Sequence, residues 1–241
     1  MEYIHNTEQF QFHNTVVALG KFDGMHKGHQ LIFDELIQYK QLGYQAAVFS
    51  FDRPPLNMLK HKHMRVIYTT NEKIKLLARR GIDIYIEHPF TDEFSHLSPE
   101  DFVIKVLLEK TGMKVLVVGD DCGFGYKRQG NVELLERMSK EYDFKLIVIP
   151  KLELEGEIVS STRIRHLLSE GKVEEANRLM EDPFMICGSV VHGNHMGAEV
   201  LQMPTANQIP LEDKLLPPNG VYVSRIHYKD ETYYGISNVG V

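Results

Sequence analysis

TVVALGKFDGMHKGHQLIFDELIQYKQLG, residues 15–43, joins three local signals in one stretch. Thr15–Leu19 is a short apolar run with β-branched residues, the mark of a buried strand. Glycines at 20, 24 and 28 follow, and they let the backbone turn sharply and approach a ligand. Leu31, Ile32, Leu36 and Ile37 then fall at helical spacing, and the helix ends at Gly43. The same alternation recurs downstream. Strand-like runs stand at AAVFSF (46–51), DIYIEH (83–88), KVLVVG (114–119) and FKLIVIP (144–150). Between them, NEKIKLLARRG ends a helix at Gly81. Ser98, Pro99 and Asp101 form a capping box before FVIKVLLEK. Strands alternating with helices predict an α/β fold with a parallel sheet covered on both faces, and in such sheets ligands bind beyond the carboxyl ends of the strands.

After about residue 183 the texture changes. The helical pattern of STRIRHLLSEGKVEEANRLM gives way to short strand-like pieces broken by Gly, Pro and Asn: MICGSVVHGN, MPTANQIP, LLPPNGVYVSRIHY and ETYYGISNVGV. Two domains are expected, residues 1–182 and a smaller antiparallel β domain over 183–241, joined through Asp182-Pro183. The second is read as incomplete, because the last residues are an apolar strand-like segment without a polar tail.

Composition narrows the partners. Among 241 residues, 27 Lys plus Arg stand against 33 Asp plus Glu, a formal charge of -6. General attraction to nucleic acid or to an anionic membrane is not expected, so any phosphate binding must be local. Two cysteines, Cys122 and Cys187, in unrelated contexts argue against a disulfide framework or a cysteine zinc site. No basic and apolar leader and no run of 18 apolar residues is present. A cytoplasmic protein without a membrane partner is expected.

The chemistry of the opening turn follows from residue types. His26 and His29, three apart at a helix start, lie on one face. Both can bond one phosphate, while the helix N–H groups and dipole favour the same anion. A zinc pair is the alternative; it needs further ligands, for which His61, His63 and Cys122 are the candidates without supporting spacing. Ser160, Ser161 and Thr162 can cap a helix whose first turn carries Arg163, which reads either as an ordinary cap or as a second phosphate site. In GDDCGFGYKRQGN (119–131), the bland reading makes Asp120 and Asp121 turn acids, Phe124 core and Lys127 with Arg128 a solvated pair.

These stretches carry a resemblance. HKGH (26–29) after a first strand resembles the H-x-G-H motif of the nucleotidylyltransferase superfamily, and GKFDGMHKGHQ (20–30) resembles the opening motif of the bacterial bifunctional riboflavin kinase/FAD synthetase family. VVGDDCGFGYKRQGN (117–131) is similar to that family's flavin-side loop. IVSSTRIRHLLSEGKVEEANRLM (158–180) is similar to its ATP-side turn and helix. GSVVHGN and PTAN (204–207) continue the resemblance into the kinase region.

The resemblance implies a Rossmann-like nucleotidyltransferase domain followed by a riboflavin-kinase-like barrel, and transfer of AMP from ATP to FMN, giving FAD and pyrophosphate. It implies His26 and His29 as catalytic residues, either of which can carry a proton beside phosphates. It implies Gly20, Phe22, Asp23, Gly24, Gly28, Ser160, Ser161, Thr162 and Arg163 on the ATP side, and Asp120, Asp121, Phe124, Gly125, Arg128 and Asn131 on the flavin side, with Phe124 as a stacking surface. Asp52 and Arg53 are placed at the site rim. ATP use implies Mg²⁺, held mainly by the nucleotide, with Thr205 and Asn207 as ligands in the kinase-like remnant. That remnant departs from the family pattern. Ala198-Glu199 stands where Gly-Arg is expected and Gln202 where Gly is expected, and the family's catalytic glutamate would fall after Val241. Riboflavin kinase activity is therefore expected to be doubtful. Full bifunctionality, or a non-catalytic flavin- or nucleotide-binding regulator, are the alternatives.

Overall fold

The computed structural model describes residues 1–52, 65–191 and 205–240. The expectations for Arg53, His61, His63, Ala198, Glu199, Gln202 and Val241 lie outside the described residues. Six parallel strands form the main sheet: β1 (Glu2–His5), β2 (Thr15–Leu19), β3 (Gln45–Phe51), β4 (Ile84–His88), β5 (Met113–Gly119) and β6 (Lys145–Ile149), in the order β1-β4-β3-β2-β5-β6. Five of these are the predicted runs. β1 is an addition, four half-polar residues too short to show a period, added at the edge beside β4. Because β3 lies on one side of β2 and β5 on the other, the chain reverses its direction of winding between β2 and β5. The carboxyl ends of such a strand pair are the standard ligand position in this architecture.

Alternation along each strand feeds two cores. Val16 and Ala18 face one side, with Ala46, Val48, Val115 and Val117, and meet α1 (Lys27–Gln41) and α2 (Thr70–Arg79) through Phe33, Leu36, Leu76 and Leu77. On the other side Val17 and Leu19 pack with Phe49, Ile86 and Leu116. There they meet α3 (Phe102–Lys110) and α4 (Val132–Glu141). The sheet is thus buried on both faces, which is why its strands read as apolar runs. Helix punctuation follows the sequence closely. Ser98 accepts a hydrogen bond from the Asp101 amide (3.0 Å), but the Asp101 carboxylate pairs with Lys105 (3.0 Å). α3 is underwound into five-residue (π-type) bonding, with the Thr111 amide reaching Val106 O at 3.1 Å.

Beyond β6, a small hairpin β7–β8 (Glu153–Leu154, Glu157–Ile158) leads into α5 (Ser161–Ser169) and α6 (Val173–Leu179). The last part is antiparallel. β9 (Val190–Val191) pairs with β10 (Asn207–Gln208), and β11 (Gly220–Tyr228) with β12 (Glu231–Val239). Among the described residues no helix is long and apolar enough to cross a membrane.

Candidate active site

The turn after β2 is folded unusually tightly. Phe22 (φ 49°), Gly24 (φ 81°) and Met25 (φ 35°) all lie in the left-handed region, which costs on the order of 1–3 kcal/mol for each side-chain-bearing residue unless surrounding contacts over-determine it. Those contacts converge on Asp23. Its Oδ1 accepts from the amides of Ile67 (3.0 Å) and Tyr68 (3.1 Å), and its other oxygen pairs with Arg165. Its carbonyl accepts from the Ser161 hydroxyl at 2.6 Å. The Asp23 carboxylate is thus spent inside the protein as an anchor for the turn. Phe22 turns its ring into the protein. It is 3% exposed and packs on Phe33 (5.0 Å) and edge-on to His29 (5.2 Å).

What the turn delivers is a pair of imidazoles. His26 is the N-cap of α1, its Nδ1 accepting from the His29 amide at 3.3 Å. The two rings stack at 3.6 Å with a 19° tilt. Gly28 fits closely beneath them, since a Cβ there would stand 3.1 Å from His26 Nδ1 and press on the ring. With Nδ1 accepting, the neutral ring of His26 carries its proton on Nε2. His29 Nδ1 is enclosed and has no hydrogen-bond partner.

Burial pushes His26 down to about 4, against the opposing pull of Asp23 and Asp121, and pushes His29 well below the ordinary histidine range, with His26 adding to the effect. Both rings rest neutral, because desolvation outweighs the nearby carboxylates and two imidazolium rings stacked so closely would repel.

The serine turn meets this site from α5. Ser160 caps the helix by accepting from the Arg163 amide (3.2 Å), Ser161 is tied to Asp23, and Thr162 is exposed. Arg163, expected toward phosphate, instead bonds Glu157 Oε2 (3.0 Å) on β8. Arg165 takes the inward position. Two residues on a helix are separated by about 200°, so one of this pair must face away from the turn. The repeated arginine in STRIR was the signal that two cations share this helix start, and the rotation of α5 gives Arg165 the contact with Asp23 and Arg163 the contact with Glu157.

On the other wall, Asp120 accepts from the Lys151 amide (3.2 Å) and Asp121 pairs with Lys151 Nζ (3.2 Å). Gly125 (φ 69°) comes so close to Pro99 that a Cβ would lie 2.7 Å from its Cα. Lys127 and Arg128 both have positive φ (49° and 59°). The Arg128 guanidinium lies across Gly123, where a Cβ would be 2.7 Å from Nη2. Phe124, expected to present a face to flavin, is 6% exposed and packs on Phe102 (5.8 Å) and Gly130 in the second core. Asn131 caps α4 by accepting from the Leu134 amide at 2.9 Å. Both are structural in this conformation, because the loop folds back on α3 and uses them to close its own ends.

A cavity of about 90 Å³ opens at the carboxyl ends of β3 and β4, lined by Lys21, Ser50, Asp52, Tyr68, Lys73 and Arg165 among others. The Ser50 hydroxyl is buried there without a partner. Asp52 lies on this cavity, and its carboxylate accepts from the Phe90 amide (2.9 Å). Lys21 is held below the ordinary lysine range by burial and by the charges of Arg128 and Arg165. Lys21, Lys73 and Arg165 line the cavity together with the carboxylates of Asp23, Asp52, Glu87 and Asp213, so it is mixed in charge. Among the described residues no three His, Cys, Asp or Glu side chains converge on a metal position. Thr205 and Asn207 are exposed.

Comparisons with known proteins agree with one another. Residues 8–163 match the family model described as FAD synthetase, and residues 180–241 that described as riboflavin kinase. The bifunctional riboflavin kinase/FMN adenylyltransferase of Buchnera aphidicola subsp. Schizaphis graminum is 38% identical over 99% of this chain and 77% of its own length. The protein of the same description from Escherichia coli K12 is 31% identical over 98% of this chain and 76% of its own. A crystal structure of a protein described as a macrolide-efflux protein from Streptococcus pneumoniae superposes with a TM-score of 0.86 at 30% identity, covering 99% of this chain and 78% of that one.

Proposed function

The chain belongs to the bifunctional riboflavin kinase/FMN adenylyltransferase family, and from that premise we propose that it is an FMN adenylyltransferase whose reaction centre is the His26–His29 pair. The enzyme transfers the AMP moiety of ATP to FMN. An FMN phosphate oxygen attacks the α-phosphorus of ATP, the bond from that phosphorus to the bridging oxygen breaks, and pyrophosphate leaves. The nucleophile is already anionic at neutral pH, so the protein's contribution is alignment and charge stabilisation rather than deprotonation.

The observation that carries the reading is the stacked, neutral histidine pair at the carboxyl ends of β2 and β5. His26 presents Nε2–H to a phosphate oxygen, and His29, whose Nδ1 is enclosed without a protein partner, supplies a second contact through its other ring nitrogen, Nε2. A phosphate arriving beside them restores their affinity for a proton, so positive charge is taken up as negative charge grows on the leaving group. Gly20, Gly24 and Gly28 keep the turn open to the nucleotide. Ser160, Ser161, Thr162 and the first amides of α5 form the second cradle, where Arg163 exchanges Glu157 for the β- and γ-phosphates. Asp120, Asp121, Gly125 and Arg128 border the flavin side, with the Phe124 ring supporting the loop from beneath.

In the second region Thr205 and Asn207 are the protein oxygens that would hold Mg²⁺, and the metal would supply charge neutralisation of the triphosphate. The working division falls at residues 182 and 183. The phosphorylated substrates fit the cytoplasmic location expected from the sequence.

Incubation with ATP, magnesium and FMN, with flavins separated by chromatography and pyrophosphate measured, tests the assignment. FAD and pyrophosphate in equal amounts are expected; binding of both substrates without either product would leave a binding protein instead. The match of residues 180–241 to riboflavin kinase favours a second reading, the bifunctional enzyme, and replacing FMN by riboflavin in the same assay separates the two.

A further inference from the structure

Lys214 belongs to the region matched to riboflavin kinase, yet its side chain is 1% exposed and lies against the α2 end of the other region. All three ammonium protons are used: Glu72 Oε2 (2.7 Å), Ile67 O (2.6 Å) and Met185 O (2.6 Å). The rings of Phe184 (4.6 Å) and Tyr68 (5.3 Å) pack around it. Glu72 is equally enclosed, and accepts from the Thr69 amide (2.8 Å) and the Cys187 amide (2.8 Å). The neighbouring backbone is stitched as well. The Val66 amide donates to Asp213 O (2.7 Å) and the Leu215 amide to Val66 O (2.8 Å).

A buried charge pair of this kind is weak evidence of stability, because desolvation offsets the attraction. Its position suggests another use. Residue 67, whose carbonyl Lys214 holds, donates its own amide to Asp23, as does Tyr68. Asp23 in turn pins the strained turn that sets His26 and His29. We propose that Lys214, through Glu72 and the Ile67 carbonyl, is a positioning residue for adenylyl transfer, so that the C-terminal region holds the histidine turn in register. The proposal rests on the adenylyltransferase reading.

Two variants test it, Lys214→Met and the double variant Glu72→Gln with Lys214→Met, which removes both charges and leaves none buried alone. In the double variant, circular dichroism and a cooperative melt like those of the wild type are expected. Its kcat for FAD formation is expected to fall on the order of tenfold with the KM for ATP little changed, since the pair displaces the histidines without touching the nucleotide. Hydrogen exchange at the Ile67 and Tyr68 amides is expected to quicken at least tenfold, a readout independent of turnover. A folded double variant with wild-type kcat and wild-type exchange at those amides would overturn the proposal. Loss of the native fold in both variants would overturn it too, making the pair a structural anchor. Failure of the wild type to form FAD would count against the adenylyltransferase reading, while the exchange arm still judges the coupling.

Discussion

Replacing Gly28 by Ala should make the helix no weaker and the enzyme slower, and the opposite signs make the test sharp. Gly28 is in the first turn of α1 with ordinary helical φ, so added helix propensity contributes up to about 0.5–1 kcal/mol. The new methyl, however, would lie 3.1 Å from His26 Nδ1, 3.3 Å from its Cε1 and 3.7 Å from Leu152 Cβ. Comfortable contact begins near about 3.5 Å, so the imidazole must move by roughly 0.4 Å. That motion loosens the 3.3 Å cap from the His29 amide and disturbs the 3.6 Å stack. A misplacement of about 1 Å typically costs on the order of a hundredfold in rate. Scaling its logarithm to this shift gives a loss of about sixfold to tenfold, or ~1.4 kcal/mol at most in the barrier. FAD formation at saturating ATP and FMN, together with a thermal melt, measures both signs. Full turnover in a variant that melts at or above the wild-type temperature would refute the claim that the position of the His26 ring limits the reaction.

Three further outcomes are expected. His29→Ala should lower kcat on the order of a hundredfold while ATP binding, followed by calorimetry, changes far less. Because folding lowers His26 from its ordinary value of 6.5 to about 4, the native state binds fewer protons than the unfolded chain between those values. Stability should then fall as pH drops from about 6.5 towards 4, by on the order of 3 kcal/mol from this residue; urea midpoints at several pH values should show a shallower acid limb in His26→Gln, and an identical limb would falsify the assignment. Phe124→Ala should cost about 3–5 kcal/mol of stability in chemical denaturation, as expected for a ring removed from a packed core; a selective rise in KM for FMN at unchanged stability would instead restore the stacking role.

Much of this protein is decided by local pattern. The five principal strands, the helix ends at Gly43 and Gly81, the cap at Ser98 and the antiparallel pieces after residue 183 depend on periodicity and on backbone chemistry that a few neighbouring residues set. The paired histidines between glycines belong to the same class, because a strand, a tight turn and a helix start bring them together within one short stretch. Tertiary structure decided what distance along the chain conceals. Residues 22 and 124 look available as aromatic surfaces, and only packing against Phe33 and Phe102 shows them to be core. That the Asp23 carboxylate anchors the turn depends on amides more than forty residues away, which no local pattern reveals. The choice between Arg163 and Arg165 depends on the rotation of α5 relative to the β2 turn, an angle that no helical period specifies. The neutral state of the histidines is likewise a property of burial: the order of residues places two imidazoles side by side, but only the folded surroundings remove the water that would let them hold their protons.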